Sequence, residues 1–230
     1  MEASRDESMP AAGRAPSIMS AATPLDHRTI ALVRVATAIA KGGETALRDR
    51  MRAARGAQVP AVWIEELLLQ SMLNVGYPLA LAAWGVWREL AGPPSESEPI
   101  VHAEWQRWAE RGPEACGQIY GRTYHKLLVN LRALHPALEP LVVIDAYGKI
   151  LGRPGLDAKL RELCTMAAIA FVDAPKQLHA HFRGALNTGA TAEEVDAVLA
   201  LVEMDLGAER ALKVWEQWAD VRSRNLNQPS

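Results

Sequence analysis

The chain has 230 residues, 49% of them hydrophobic, enough to bury one large core or two small ones. Its formal net charge of −2 offers no clustered basic surface of the kind a nucleic-acid backbone demands, so no nucleic-acid partner is expected. No apolar run approaches the roughly 18 residues that a bilayer span requires, so no membrane partner is expected either.

Residues 1–24 begin "MEASRDESMPAAGRAPSIMSAATP", rich in Ala, Ser, Pro and charge, and are expected to be a disordered N-terminal tail. Acidic residues stand where a signal peptide needs a basic start and an apolar centre. The two cysteines, Cys116 and Cys164, are too few and too far apart for a disulfide framework. A reducing, cytoplasmic setting is the simplest expectation.

The next segment, 25–90, returns later in the chain. Sliding the sequence by 131 residues aligns 25–87 with 156–218 without a gap. Fourteen of the 63 pairs are identical, against roughly five expected for so Ala- and Leu-rich a chain. Leu25–Asp26 pairs with Leu156–Asp157, Arg52 with Arg183, Gly76 with Gly207, and Trp84 and Trp87 with Trp215 and Trp218. The chain contains a duplication. In the first copy Pro60 starts the third helix and Gly76 ends it. A polar, Pro-rich linker, "ELAGPPSESEP", leads into a connector over 91–150. Its sequence suggests a short helix ending at Gly112, then a longer one from Pro113 through "YGRTYHKLLVNLRAL". The only β-branched run, "LVVI" at 141–144, has helical flanks.

The second copy, within 151–222, opens with an apolar helical stripe at Leu160, Leu163, Met166, Ala167 and Ala170. Pro175 starts a helix that runs to about Leu186, with Gly189 as its stop. "TAEE" at 191–194 is a capping box for the next helix, which stops at Gly207. A last helix over about 209–222 carries Trp215 and Trp218 on one face, and 223–230 reads as a C-terminal tail. The fold class is all-α.

"YGKILGRPGLDAKLRELCTMAAIA", "LHAHFRGALNTGATAEEVDAVL" and "DLGAERAL" resemble the carboxymuconolactone decarboxylase family, which shares its fold with the alkylhydroperoxidase D-type proteins. The resemblance covers 118–222 well and 25–90 less well. It implies a duplicated helical repeat assembled as a symmetric oligomer, a homotrimer for members with two repeats.

Two residues apart on a helix, His179 and His181 point about 200° away from each other and cannot serve one pocket. His181 shares the apolar face with Leu178 and Ala185, whereas His179 lines up with Arg183 and Leu186. A lone histidine on an apolar face is commonly a core side chain bonded to a carbonyl. Here Glu162 lies 19 residues upstream on a largely apolar helix, and the first copy has Ala31 and Arg50 at the two equivalent positions. That spacing is also the one between the proton-relay Glu and His in the peroxidase branch of the family. Glu162 and His181 are therefore the candidate catalytic residues. Arg183, His179 and Tyr124 are candidate substrate-binding residues, with Tyr120 and Tyr124 expected on one face of the connector helix, where together with His125 they would close the pocket unless the tyrosines serve only as core. Because Arg52 and Arg183 occur in both copies, the arginine is also expected to pair with a carboxylate across a helix junction.

Peroxidase-type members carry a CxxC before the histidine. Ala174 and Gln177 stand at those positions, and a dithiol mechanism needs two sulfurs within bonding distance. Cys164 is expected to pack as a small apolar residue. There is no nucleotide, P-loop or zinc-protease motif, so no cofactor and no metal are expected. The expectation is cofactor-free acid/base decarboxylation, or a related proton transfer, on a small carboxylic acid or lactone, with an alkylhydroperoxidase-like antioxidant activity and a non-catalytic oligomeric ligand-binding protein as the alternatives.

Overall fold

The computed structural model describes residues 23–172 and 174–226. The expected N-terminal tail, but for residues 23 and 24, lies outside them. The first copy folds as α1 (His27–Lys41), α2 (Glu44–Gly56) and α3 (Ala61–Ala91). The connector supplies α4 (Trp105–Tyr120), α5 (Tyr124–Leu134), α6 (Leu138–Pro140) and a π-helix (Leu141–Leu151). The second copy is α7 (Ala158–Ile169), α8 (Pro175–Asn187), α9 (Ala192–Glu203) and α10 (Ala208–Leu226). No strand occurs among the described residues.

The duplication is visible in three dimensions because equivalent residues do equivalent work. Asp26 caps α1 by accepting from the backbone N–H groups of Arg28 (2.8 Å) and Thr29 (2.9 Å), and Asp157 caps α7 by accepting from Leu160 (2.8 Å). The Trp87 indole N–H donates to Glu65 (3.2 Å), and that of Trp218 to the equivalent Asp196 (2.6 Å). Helix α3 bends at Gly76, whose φ of 80° and ψ of 167° leave the helical region. Its arms, 61–75 and 77–91, thus correspond to α9 and α10, which meet at Gly207. The capping box on α9 has both of its hydrogen bonds, Glu194 N to Thr191 Oγ1 (3.1 Å) and Thr191 N to Glu194 Oε2 (2.9 Å).

By length and composition α3 is apolar enough to cross a membrane, which the expectation of no such run missed. The bend at Gly76 interrupts it, and its first arm buries Glu65, Glu66, Gln70 and Ser71 within the fold.

The two copies share one core. Leu32, Val33, Met51, Ile64 and Leu68 of the first are continuous with Leu163, Met166, Phe182, Val198 and Trp218 of the second. Each such side chain contributes about 1.5–3 kcal/mol relative to being exposed. A buried polar knot crosses the same seam. Glu66 accepts from Arg153 Nε (3.1 Å) and Arg161 Nη2 (2.9 Å), and Arg161 Nη1 donates to Gln70 (3.1 Å). Removing one partner would strand a buried charge at a cost of about 3–5 kcal/mol.

The connector departs from expectation in two places. Helix α4 continues through Gly112 and Pro113 and breaks instead at Gly121, where φ is 51°. Gly112 is a close-approach residue, since a Cβ there would collide with the Val143 carbonyl of the π-helix, and one on Gly148 would collide with the Trp108 backbone. "LVVI" opens the π-helix. At the C-terminus, 223–226 continue α10 and are not a tail.

Candidate active site

Capped at Asp157, α7 starts in a phase that turns Glu162 inward, and α8, started by Pro175, lays His181 across it. His181 Nδ1 lies 2.8 Å from Glu162 Oε2, with the glutamate side chain fully buried and the imidazole 13% exposed. Where Glu162 accepts as a carboxylate, Nδ1 is the donor of this hydrogen bond and Nε2 is the ring nitrogen left outside it. Glu162 Oε1 is buried with no hydrogen-bond partner among the described residues.

Gly184, one turn beyond His181, makes the room. A Cβ there would lie 3.0 Å from Glu162 Cδ and 2.9 Å from Ile119 Cγ2, and closer still to Glu162 Oε2. The first copy has Ala31, Arg50 and Ala53 where the second has Glu162, His181 and Gly184. The acid and the space for it therefore occur together. This residue was missed in the sequence, although comparison of the copies carried the signal.

The connector adds a wall in which Tyr120 was foreseen and Cys116 and Tyr147 were not. Cys116 and Tyr120 come from α4 and Tyr147 from the π-helix, with the two phenol rings edge to face at 6.1 Å and sharing a hydrogen bond. Burial, followed by the repulsion of Glu162, pushes the Cys116 thiol up to about 12. Burial also raises both phenols, Tyr147 well above its ordinary value, with Glu162 adding to each. These three groups keep their protons across the neutral range. They can donate hydrogen bonds but supply neither base nor nucleophile. Cys164 is fully buried in the main core, and burial raises its thiol as well.

The candidate substrate-binding residues do not join this pair. His179 and Arg183 line a pocket on the opposite face of α8, with Leu186, as their spacing implies. His179 Nε2 lies 3.7 Å from Asp220. Tyr124 is separated from Tyr120 by the 3-10 turn Gly121–Thr123, so the two do not share a helix face. It packs at the edge of the Cys116 cluster and stacks near His125 at 5.8 Å. The pairing foreseen for the repeated arginine is also absent. Arg52 reaches only Asp49 of its own helix, at 3.9 Å and well exposed, and Arg183 has no ion pair among the described residues. Arg52 lies well exposed, where water competes for it, whereas Arg183 is half-buried in the pocket behind α8.

Comparison with known proteins agrees with the helical duplication. Residues 14–89 and 142–220, together more than half of the chain, match the carboxymuconolactone decarboxylase family. Peroxisomal protein 2 of Schizosaccharomyces pombe is 28% identical over 134 residues, covering 57% of this chain and 63% of that protein. Nitrosuccinic acid decarboxylase npaB of Metarhizium robertsii is 41% identical over 73 residues, 30% of this chain and 51% of that protein. The chain thus spans less than two-thirds of the length of either relative. With both halves matched and the same helices repeated around one core, the chain belongs to the carboxymuconolactone decarboxylase family, a decarboxylase-like family, as a member with two repeats.

Proposed function

We propose that the protein is a carboxy-lyase-like enzyme that decarboxylates a small carboxylic acid or lactone by acid/base chemistry without a cofactor. The observation that carries this reading is the buried 2.8 Å Glu162–His181 pair, present in one copy and replaced by Ala31 and Arg50 in the other. The relative named as a nitrosuccinic acid decarboxylase supports a substrate whose departing carboxylate sits on a carbon next to a nitro or carbonyl group.

In such an acid the C–C bond to the carboxylate breaks, carbon dioxide leaves, and the electron pair passes into the neighbouring group. His181 Nε2–H then delivers its proton to that carbon, while Glu162 holds Nδ1–H and stabilises the doubly protonated ring before transfer. Water returns the proton afterwards. A weakly polar, water-poor site would favour loss of carbon dioxide by desolvating the carboxylate. Peroxide reduction is the weaker reading, because Cys116 and Cys164 lie in separate clusters and both thiols are held protonated.

A homotrimer in the cytoplasm remains part of the proposal. The exposed apolar residues support assembly, since Leu73 (45%) and Leu81 (60%) recur at the equivalent Met204 (77%) and Leu212 (59%).

The test is carbon dioxide release from nitrosuccinate and from carboxymuconolactone in heavy water, which should place one deuterium on the product carbon per turnover. His181→Gln should lower kcat by about 10²–10⁴, whereas Arg50→Gln should alter KM at most. No release above the uncatalysed rate from either acid would reject this substrate class. Activity lost in Arg50→Gln and kept in His181→Gln would move the site to the first copy.

A further inference from the structure

The pocket behind α8 has a chemistry of its own. It encloses about 190 Å³ between α8, α10 and the turn after α4, and its wall carries Arg122, Arg183, Arg224 and His179 with the amides of Asn187 and Asn225. No carboxylate lines it among the described residues, although the chain as a whole has more acidic than basic residues. Asp220 is not part of the lining, but it takes up Arg224 at 2.8 Å and stands 3.7 Å from His179, which leaves Arg183 as the side chain free to meet an anion. Arg183 is half-buried and has no hydrogen bond or ion pair among the described residues. A guanidinium fork in that state is a ready bidentate partner for a carboxylate or phosphate.

Comparison of the two copies shows what was added. Arg52, equivalent to Arg183, borders an open groove of about 700 Å³ in the first copy. In the second copy the connector turn closes the corresponding groove, and Asn187 Nδ2 pins that turn by donating to the Ile119 carbonyl at 2.7 Å. The enclosure is too small for a drug-sized ligand and suits a compact one.

We infer that this pocket is an anion-binding site, separate from the Glu162–His181 pair, that takes a small polyanion with carboxylate or phosphate groups. Because it faces away from His181 across α8, its occupant is not the reacting acid. Binding there joins α8 to α10 and to the connector, and so stabilises the helix that carries His181.

Calorimetric titration with citrate and with inorganic phosphate, at constant ionic strength in chloride, tests the inference. One saturable site per chain is expected, and Arg183→Gln should weaken it by about tenfold or more. Competition between the two anions shows which headgroup the pocket prefers. Arg52→Gln and His181→Gln should leave binding unchanged, the latter even if it abolishes turnover, which separates this site from the proposed reaction. No saturable binding of either anion up to about 10 mM would overturn the inference. So would binding that Arg183→Gln leaves intact, or an Arg183→Gln chain that only changes oligomeric mass, since the pocket would then hold an acidic side chain of a second copy.

Discussion

Replacing Gly184 with alanine adds one methyl group and removes none of the reactive side chains, yet it should disable the site. The new Cβ would lie 2.9 Å from Ile119 Cγ2 and 3.0 Å from Glu162 Cδ, inside ordinary van der Waals contact. Glu162 is fully buried between α7 and α8 and has little free volume to move into. Overpacking of this kind costs about 1–3 kcal/mol, and loss of the charged hydrogen bond to His181 adds about 1.5–3 kcal/mol. Against these stands the better helix propensity of alanine, about 1 kcal/mol in mid-helix. The net effect is a destabilisation of about 1.5–5 kcal/mol, which lowers Tm by roughly 3–20 °C for a chain of this size. The decisive variant is Gly184→Ala combined with Glu162→Ala, which reproduces the first copy's Ala31 and Ala53. It should be more stable than the sum of the two single changes by about 1 kcal/mol or more, because the clash with Glu162 needs both the methyl group and the carboxylate, while the contact with Ile119 remains. Thermal and urea unfolding of the four proteins would measure this cycle. A Gly184→Ala chain as stable as the parent, or a cycle that closes additively, would show that the glycine does not make space for the acid.

Three further outcomes follow from the geometry. Burial alone would raise the Glu65 carboxyl, but hydrogen bonds from Arg88, Trp87 and Ser95 hold it below its usual 4.5. Its stabilisation is therefore present above that value and is lost as pH falls through the depressed one, so Glu65→Gln should lose about 1.5–3 kcal/mol at pH 7 and close on the parent as pH falls below 4.5; a constant gap in urea unfolding from pH 7 into that acid range would contradict the assignment. Neither Cys116 nor Cys164 should react with a chromogenic disulfide at pH 8 until the chain unfolds, since burial keeps both thiols protonated; rapid native-state labelling would mean the connector opens. Leu81→Asp together with Leu212→Asp should shift a trimer towards the 25.1 kDa monomer in sedimentation, and a parent that already sediments as a monomer at micromolar concentration would end the trimer proposal.

Helix starts and stops, and the repeat itself, were legible in the sequence because they depend on near neighbours. Asp26 and Asp157 cap within three residues, Thr191 and Glu194 cap each other, and Pro175 needs only its own ring to begin a helix. The pairing of Glu162 with His181 was also within reach, because one helix hairpin joins them and the first copy shows what the fold looks like without them. Other features depend on segments far apart in the chain. The backbone contact between Gly112 and Val143 turned an expected helix stop into a helix interior, and the 3-10 turn at Gly121 separated Tyr120 from Tyr124. Cys116 and Tyr147 reach Glu162 only because the connector folds back over α7 and α8. Local hydrogen bonds and periodicity are written residue by residue, whereas burial and the field of a carboxylate depend on which distant surfaces meet. For that reason the sequence determined most helix boundaries and the nearness of Glu162 to His181, and only the tertiary structure decided what surrounds the pair and that Arg183 faces away from it.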